Sequence, residues 1–552
     1  MNFNVTRAAM VALAIVASSP ALAGDSEDFA GCDGLRKPKS KDDGMRGVAS
    51  QPGYGFGLTS ATSQPAATVA ACTRALTGGK LLPTQTLRQA HLLRARAAAK
   101  LRLGASAEAL ADLDQADQAI AGQRGEPFFD RSLGASLDLL RAIALVQKGD
   151  SAAALPLANR AAAQRPFAVQ VQMAAAMVRE SARYGDAAVD PQWPALVRLQ
   201  PELASSLISL ETSQGRYDSA IAIAGASPQR AQLLSRDEEG VDKFAALGRH
   251  GDALLAGAGA SYDLAYAMAT TGDVAGARRE MAAARATYRQ LTGAPVIPAG
   301  VEPDAKLAPG EPSAVSTLFA PRERLVEARI ALAEGRSADA EKLASQPLPF
   351  GAPARDLQKA IFAARGDKTT AVITPADADP AAARRQAIGQ LADTVLIAHE
   401  TPRSVIDYQK SRPNVLAALV GAAFSMGTTL LSGIPKTAGF KETANADGSI
   451  VVEYTGSTPS APMVQEMTLL RAAELARAAK KPGFAIVGRD DYTRYLTQTQ
   501  YGVQISRTPT GHKTVMTIRL VDTPEAARAQ GFEAIEVIDR LAPLYYEDRP
   551  KA

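Results

Sequence analysis

The stretch Ala142-Ile143-Ala144-Leu145-Val146-Gln147-Lys148-Gly149-Asp150-Ser151-Ala152-Ala153-Ala154 decides the reading of this 552-residue chain. An apolar run of helical composition stops at a glycine, a polar residue follows, and a second alanine-rich run begins. The spacing of Ala142, Gly149 and Ala154 recurs at Ala97, Gly104 and Ala109, at Ala265, Gly272 and Ala277, and at Ala328, Gly335 and Ala340. Glycine ends a helix in the left-handed conformation without the steric cost that a side chain brings. A small residue two turns before it lets a partner helix approach. The alanine five positions after it falls in the first turns of the returning helix. Ala116, Ala161 and Ala284 lie seven positions further on, two helical turns, and so stay on the same face. Pro166 closes the second unit. Weaker turns at Gly185-Asp186, Gly251-Asp252 and Gly366-Asp367 fill gaps between units. The spacing predicts stacked helix pairs between about Thr86 and Gly366.

The pattern resembles the tetratricopeptide repeat, a helix–turn–helix unit of roughly 34 residues. Gly215-Arg216-Tyr217 followed by Ala220 keeps the turn and tyrosine of that family. Most of its other aromatic positions are missing, and the glycines are unevenly spaced. The resemblance implies a degenerate solenoid whose stacked helices form a groove for a protein partner.

Composition fits thin, closely stacked helices. Alanine dominates, aromatics make up 5% of the chain, and Trp193 is the single tryptophan. The net charge of +4 is spread over interspersed acids and bases. Without a basic run or basic–aromatic interleaving, nucleic acid is excluded as the expected partner.

Residues 1–23 read as a secretory signal. Arg7 supplies the positive n-region, Ala8 to Ala17 the apolar run, and Ala21-Leu22-Ala23 the small-x-small cleavage site. The mature chain is expected to begin at Gly24, in the periplasm. No cysteine follows directly, so this is not the site of a lipid-modified terminus. Two cysteines in an exported chain predict a Cys32–Cys72 disulfide, with Cys32 in a loop-like segment and Cys72 in a helix. The four histidines (His91, His250, His399, His512) form no zinc-spaced cluster.

Pro295 to Ser313 and Thr369 to Ala381 read as loops, and Ala382 to His399 as helical. Val415 to Ile434 carries no charge and is about long enough to span a bilayer. Its glycines, serines and threonines favour a buried or docked helix ending near Gly433; membrane contact is the second reading. Beyond Gly448 the pattern turns mixed. Ser449 to Tyr454 reads as a strand, Pro462 to Ala479 as a helix, and Phe484 to Val487 as a short strand. Tyr501 to Ser506 and Met516 to Leu520 alternate as a hairpin turning at Pro509-Thr510-Gly511-His512, and Pro524 to Leu541 forms a last helix. Leu469-Leu470-Arg471-Ala472-Ala473-Glu474-Leu475-Ala476 followed by Phe484-Ala485-Ile486-Val487 resembles a small domain of bacterial envelope lipoproteins of unknown function. That likeness covers roughly the last hundred residues and implies no functional residues.

The predicted fold is therefore mainly α, a helix-pair solenoid with a small C-terminal α+β domain. Its parts are a signal peptide (1–23), an N-terminal loop and first helix (24–85), the array (86–366), a linker and connector (367–440) and the α+β domain (445–545). No phosphate loop, nucleophile elbow or metal motif is present, so no catalytic residue, cofactor or metal is assigned. Asp490-Asp491-Tyr492 could mark a ligand site but reads as a solvated turn at a strand end. His512 could titrate but reads as a surface turn residue. Asp237-Glu238-Glu239 reads as a capped helix start, with Ser235 and Glu238 spaced as a capping box. The expected function is a periplasmic protein–protein scaffold or adaptor. Membrane association through 415–434 is the alternative, and an enzyme with a site in the C-terminal domain the weaker one.

Overall fold

Helix pairs joined by turns of two or three residues recur through the described helical region, and an antiparallel sheet lies at the C-terminal end. The computed structural model describes residues 25–39, 41–46, 64–182, 192–226, 243–292, 314–349, 351–366, 385–402, 439–456, 458, 460–500 and 503–546. The signal segment, Asp237-Glu238-Glu239, Gly185-Asp186, both predicted loops and Val415 to Ile434 lie outside the described residues. Among the described residues no helix is long and apolar enough to cross a membrane.

The first helices are α1 (Asp25–Asp33), α2 (Pro65–Thr77), α3 (Thr86–Arg102) and α4 (Ser106–Ala119). The short α5 (Pro127–Phe129) runs through a π-helical turn (Asp130–Gly134) into α6 (Ala135–Lys148), which is followed by α7 (Ser151–Gln164). Next come α8 (Val169–Ala182), α9 (Gln192–Leu199), α10 (Leu203–Ser213) and α11 (Tyr217–Ala226). The long α12 (Lys243–Thr271) pairs with α13 (Val274–Thr292), and α14 (Ala314–Ala333), α15 (Ser337–Ala344) and α16 (Ala352–Ala364) complete the series.

One backbone device makes the turns. Gly104, Gly149, Gly215, Gly272 and Gly335 all have φ between +78° and +97°. The amide after each glycine reaches back to the carbonyl five residues earlier: Ala105 to Lys100 at 2.9 Å, Asp150 to Leu145 at 2.8 Å, Arg216 to Glu211 at 2.9 Å, Asp273 to Met268 at 2.8 Å and Arg336 to Ala331 at 2.8 Å. This is the six-to-one bond that closes a left-handed helix end. The carbonyl of the same residue then accepts the first bond of the next helix, as from Ala154 to Asp150 at 3.2 Å and from Ala277 to Asp273 at 3.0 Å. One residue thus ends one helix and caps the next. Where it is aspartate, its carboxylate also caps: Asp150 accepts from the Ala153 amide at 3.2 Å and Asp273 from Gly276 at 2.8 Å.

The recurring alanines sit where the helices touch. Ala97, Ala109, Ala142, Ala154, Ala265, Ala277, Ala328 and Ala340 are all fully buried. At Gly215 the first small position is Ile208, so that pair is spaced by a larger side chain, while Ala220 keeps the second. The weaker turn expected at Gly251-Asp252 is not formed, because Gly251 lies inside α12. A helix crosses a single glycine for roughly 1 kcal/mol.

Cys32 and Cys72 are disulfide-bonded, with Cα atoms 4.5 Å apart. Cys32 stands on α1, correcting the loop expected there. The bond locks α1 to α2 beside Phe29 and Leu92 in a small apolar cluster.

Residues 385–400 pack into the helical region. A 3-10 helix (Ile388–Val395) is followed by irregular chain, and Ile388, Ala392, Val395, Leu396 and Ile397 join the core of α3, α4, α6, α7 and α8. This strap is pinned by Arg94 donating to the Ile397 carbonyl at 2.6 Å and by the Arg102–Asp393 pair at 2.6 Å. Gly389 leaves no room for a side chain, since a Cβ there would meet the Leu101 carbonyl at 2.3 Å.

The sheet has strand order β1-β2-β4-β3-β5, with every neighbouring pair antiparallel. Its strands are β1 (Gly439–Ala444), β2 (Ile450–Gly456), β3 (Gly483–Gln500), β4 (Val503–Val521) and β5 (Phe532–Glu533). Helix α17 (Ala461–Ala478), the short α18 (Pro524–Gln530) and α19 (Ala534–Tyr545) complete the domain. β1 begins inside the segment expected as connector, and its polar sequence hid it. The turn expected at Pro509-Thr510-Gly511-His512 is not formed there: Pro509, Gly511 and His512 pair with β3, and the ladder continues to Gln500 opposite Val503. Pro509 sits within β4 at an irregularity, where the register shifts between Arg494 and Tyr495; such bulges are where a strand tolerates proline. Phe128, Phe167 and Leu199 of the helical region share the core of this domain.

Overpacking tests the alanine contacts. Ala142→Leu and Ala265→Leu should each lower unfolding free energy by about 1–3 kcal/mol in urea melts. A neutral result at both positions would show that the shared spacing does not place them equivalently.

Candidate functional site

Two polar assemblies meet back to back at the π-helical turn and the end of α7. The first lines an open cleft of about 500 Å³ bordered by Asp117, Ala121, Arg124, Asp130, Asp138, Arg141, Arg160 and Gln164. Asp117 lies on the last turn of α4, Arg124 in the following loop, Asp130 on the π-helical turn, Asp138 and Arg141 on α6, and Arg160 on α7. Their charges alternate in one chain. Arg141 pairs with Asp114 at 2.5 Å and with Asp117 at 2.8 Å. Asp117 also takes Arg124 at 2.8 Å. Arg124 reaches Asp138 at 3.5 Å, and Asp138 is held bidentately by Arg160 at 2.7 and 2.8 Å. Gly134 leaves space for the Arg124 guanidinium, which a Cβ would approach to 3.1 Å. Burial pulls the Arg141 guanidinium down, but Asp114 and Asp117 outweigh it and leave it raised. Hydrogen bonding to Asp138 raises that of Arg160. The lining presents fixed donors and acceptors and carries no hydroxyl, thiol or imidazole.

The second assembly is buried. Arg131 follows Asp130, and Arg165 follows Gln164, so each element serves the cleft with one residue and the interior with the next. Arg131 and Arg165 both pair with Glu466 of α17, the latter through Nη2 at 3.1 Å. Arg165 also pairs with Glu400 of the strap at 2.7 Å, and donates to the Arg131 carbonyl at 3.0 Å. The Tyr545 hydroxyl donates to Glu466 at 2.6 Å, and Ser460, which caps α17, donates to Glu400. Burial pushes the Glu466 carboxyl up, yet the two guanidiniums overcome it and hold the group below its ordinary range. Burial lowers the Arg165 guanidinium, and Glu400 and Glu466 raise it further than that. The Tyr545 phenol is raised well above its usual value, first by burial. Five chain segments are thereby fastened at one point.

A third group of polar side chains lies under the strap. His91 of α3 and His399 meet edge to face at 6.1 Å, with Arg94 bonded to His91 at 3.3 Å. Burial, and then Arg94, His399 and Arg88, keep His91 well below its ordinary value. His399 is pulled down to about 4, chiefly by burial, against the opposing charge of Asp43. Both rings are neutral in the folded protein near neutral pH.

The sequence-marked residues fall elsewhere. Asp490-Asp491-Tyr492 lies within β3, not in a solvated turn. The strand continues because the Asp491 carboxylate accepts from Thr514 at 2.6 Å, Arg489 at 3.0 Å and Gln465 at 3.1 Å. His512 lies in β4 opposite Thr493 and Gly456 and is buried, which corrects its placement in a turn. Cys32 and Cys72 sit far along the chain from the cleft and act by stapling α1 to α2. Sequence reasoning missed the buried junction because directly bonded members are as many as 335 positions apart. One local signal existed: Glu466 interrupts the apolar face formed by Met463, Met467 and Leu470, all fully buried. Among the described residues no three His, Cys, Asp or Glu side chains gather as a metal ion would require.

No family model matches this chain, and neither a curated protein nor a solved structure matches it.

Removing one charge from the junction should be costly, since it leaves a buried guanidinium short of its partner. Glu466→Gln is expected to lower stability by about 3–5 kcal/mol in denaturant melts. The histidines give a pH dependence. The unfolded chain binds protons on them at an ordinary value of 6.5, while folded His399 resists until about 4. Stability is therefore fully present above pH 6.5 and falls as the pH drops towards 4. His399→Gln should flatten the urea midpoint across that window; an unchanged slope would show that the ring is charged in the folded state.

Proposed function

We propose that the protein is an exported helical-repeat scaffold of tetratricopeptide type, working in the periplasm, and that it binds a partner protein in the α4–α6–α7 cleft. The observation that carries this reading is the alternating chain Asp114–Arg141–Asp117–Arg124–Asp138–Arg160 across three elements. Guanidiniums held by carboxylates keep their remaining N–H groups aimed and lose little side-chain freedom when a ligand arrives. A polypeptide segment carrying both charges and backbone amides satisfies such a wall. The repeated glycine turns and buried alanines support a stacked array behind it.

Arg124 allows a clean test, because its two carboxylates each keep another arginine. Arg124→Ala should leave the thermal melt unchanged and weaken partner binding about tenfold, the loss of one interface anchor. A photo-crosslinking residue at Ala121 should capture a discrete envelope protein that the same residue at Ile535, exposed on α19, does not. Equal capture from both positions, or none from Ala121, would overturn the proposal.

A further inference from the structure

The sheet carries a ribbon longer than the sheet itself. β2 pairs with β4 only from His512 to Ile518, and β5 pairs with β3 only at Gly483 and Phe484. Yet β3 and β4 stay paired to the end, through Arg494 opposite Gly511 and on to Gln500 opposite Val503. Over these outer positions, among the described residues, no third strand flanks the ribbon. A lone two-stranded ribbon is marginal in water, and an open strand edge is a template for another strand.

The two edges differ. β4 contains Pro509, which has no amide to donate, and Gly511 beside it. β3 has neither proline nor glycine from Arg489 to Gln500. At its root the β3 edge is already met by the helical region, where Glu202 accepts from the Arg489 amide at 2.7 Å. Beyond that lies Arg494-Tyr495-Leu496-Thr497-Gln498-Thr499-Gln500, with one charge, rich in strand-forming residues. Short segments of this kind pair readily with identical copies.

We propose that this β3 edge pairs antiparallel with the β3 edge of a second copy of the chain, about a twofold axis at Thr497. That register overlaps all of the outer segment. It sets Arg494 opposite Gln500, Tyr495 opposite Thr499, Leu496 opposite Gln498, and Thr497 opposite itself. No like charges face each other, and threonine across from threonine is a favourable pair. The contact is isologous and so closes at two copies, joining both sheets into one. It stands independently of the cleft and its partner.

Sedimentation velocity of the purified mature chain, over a wide concentration range, reads the outcome. A dimer is expected. Thr497→Lys, which keeps the backbone amide but sets a lysine opposite a lysine, should raise the dimer dissociation constant at least about tenfold. Thr497→Cys should give a disulfide-linked dimer on mild oxidation, and Asp522→Cys at the other end of β4 should not. A wild-type chain that stays monomeric overturns the proposal, as would a dimer indifferent to Thr497→Lys or equal crosslinking from Asp522→Cys.

Discussion

Glu466 is an acid in the middle of an apolar helix, and the architecture is organised around satisfying it. Removing a carboxylate from water is expensive, and only close opposite charges with further hydrogen bonds repay that cost. Arg131, Arg165 and the Tyr545 hydroxyl supply them, and Glu400 balances the second guanidinium. Each of these groups comes from a different part of the chain. Array, strap and sheet domain are therefore positioned relative to each other by a charge requirement as well as by apolar burial. Apolar surfaces tolerate sliding; a bidentate guanidinium–carboxylate contact does not. The shared apolar cluster of Phe128, Phe167 and Leu199 with α17 supplies the area, and the ion pairs supply the register.

The same geometry holds the wall of the open cleft. Asp130 and Arg131 are adjacent on a π-helical turn, and Gln164 and Arg165 end α7. Anchoring the arginines inward fixes the neighbouring residues outward. A wall of alternating charges facing solvent would ordinarily be mobile and weakly paired. Here its backbone is held from behind.

What was legible in the sequence was local. A glycine that ends a helix, and an alanine that must fit under a partner helix, act within a dozen residues, so Gly149 with Ala142 and Ala154 could be read directly. The cysteine pairing was legible from count alone, although α1 around Cys32 was not, since its acidic, small-residue sequence has little helical character. What failed depended on distant partners. Asp491 looked like a turn residue because its three donors come from Thr514, Gln465 and Arg489. Pro509 looked like a turn because prolines usually are; a register shift in the paired strand accommodates it instead. The junction was invisible because no spacing rule connects Arg131 to Glu466. The strap is helical only to Val395; beyond it the chain is irregular, with the Val395 and Ile397 carbonyls held by donors on α6 and α3.

Those separations also set an order of events during synthesis. Arg131 and Arg165 leave the ribosome 335 and 301 residues before the carboxylate they share. The strap that completes the core of α3 to α8 emerges late as well, with Arg94 waiting 303 residues for the Ile397 carbonyl. Nascent helix pairs can form by local contacts alone, since those are fast. Their first core nevertheless stays open on one side, with two arginines and an apolar trough unfilled, until most of the chain exists. The core of α3 to α8 is thus completed only by residues from the last third of the chain.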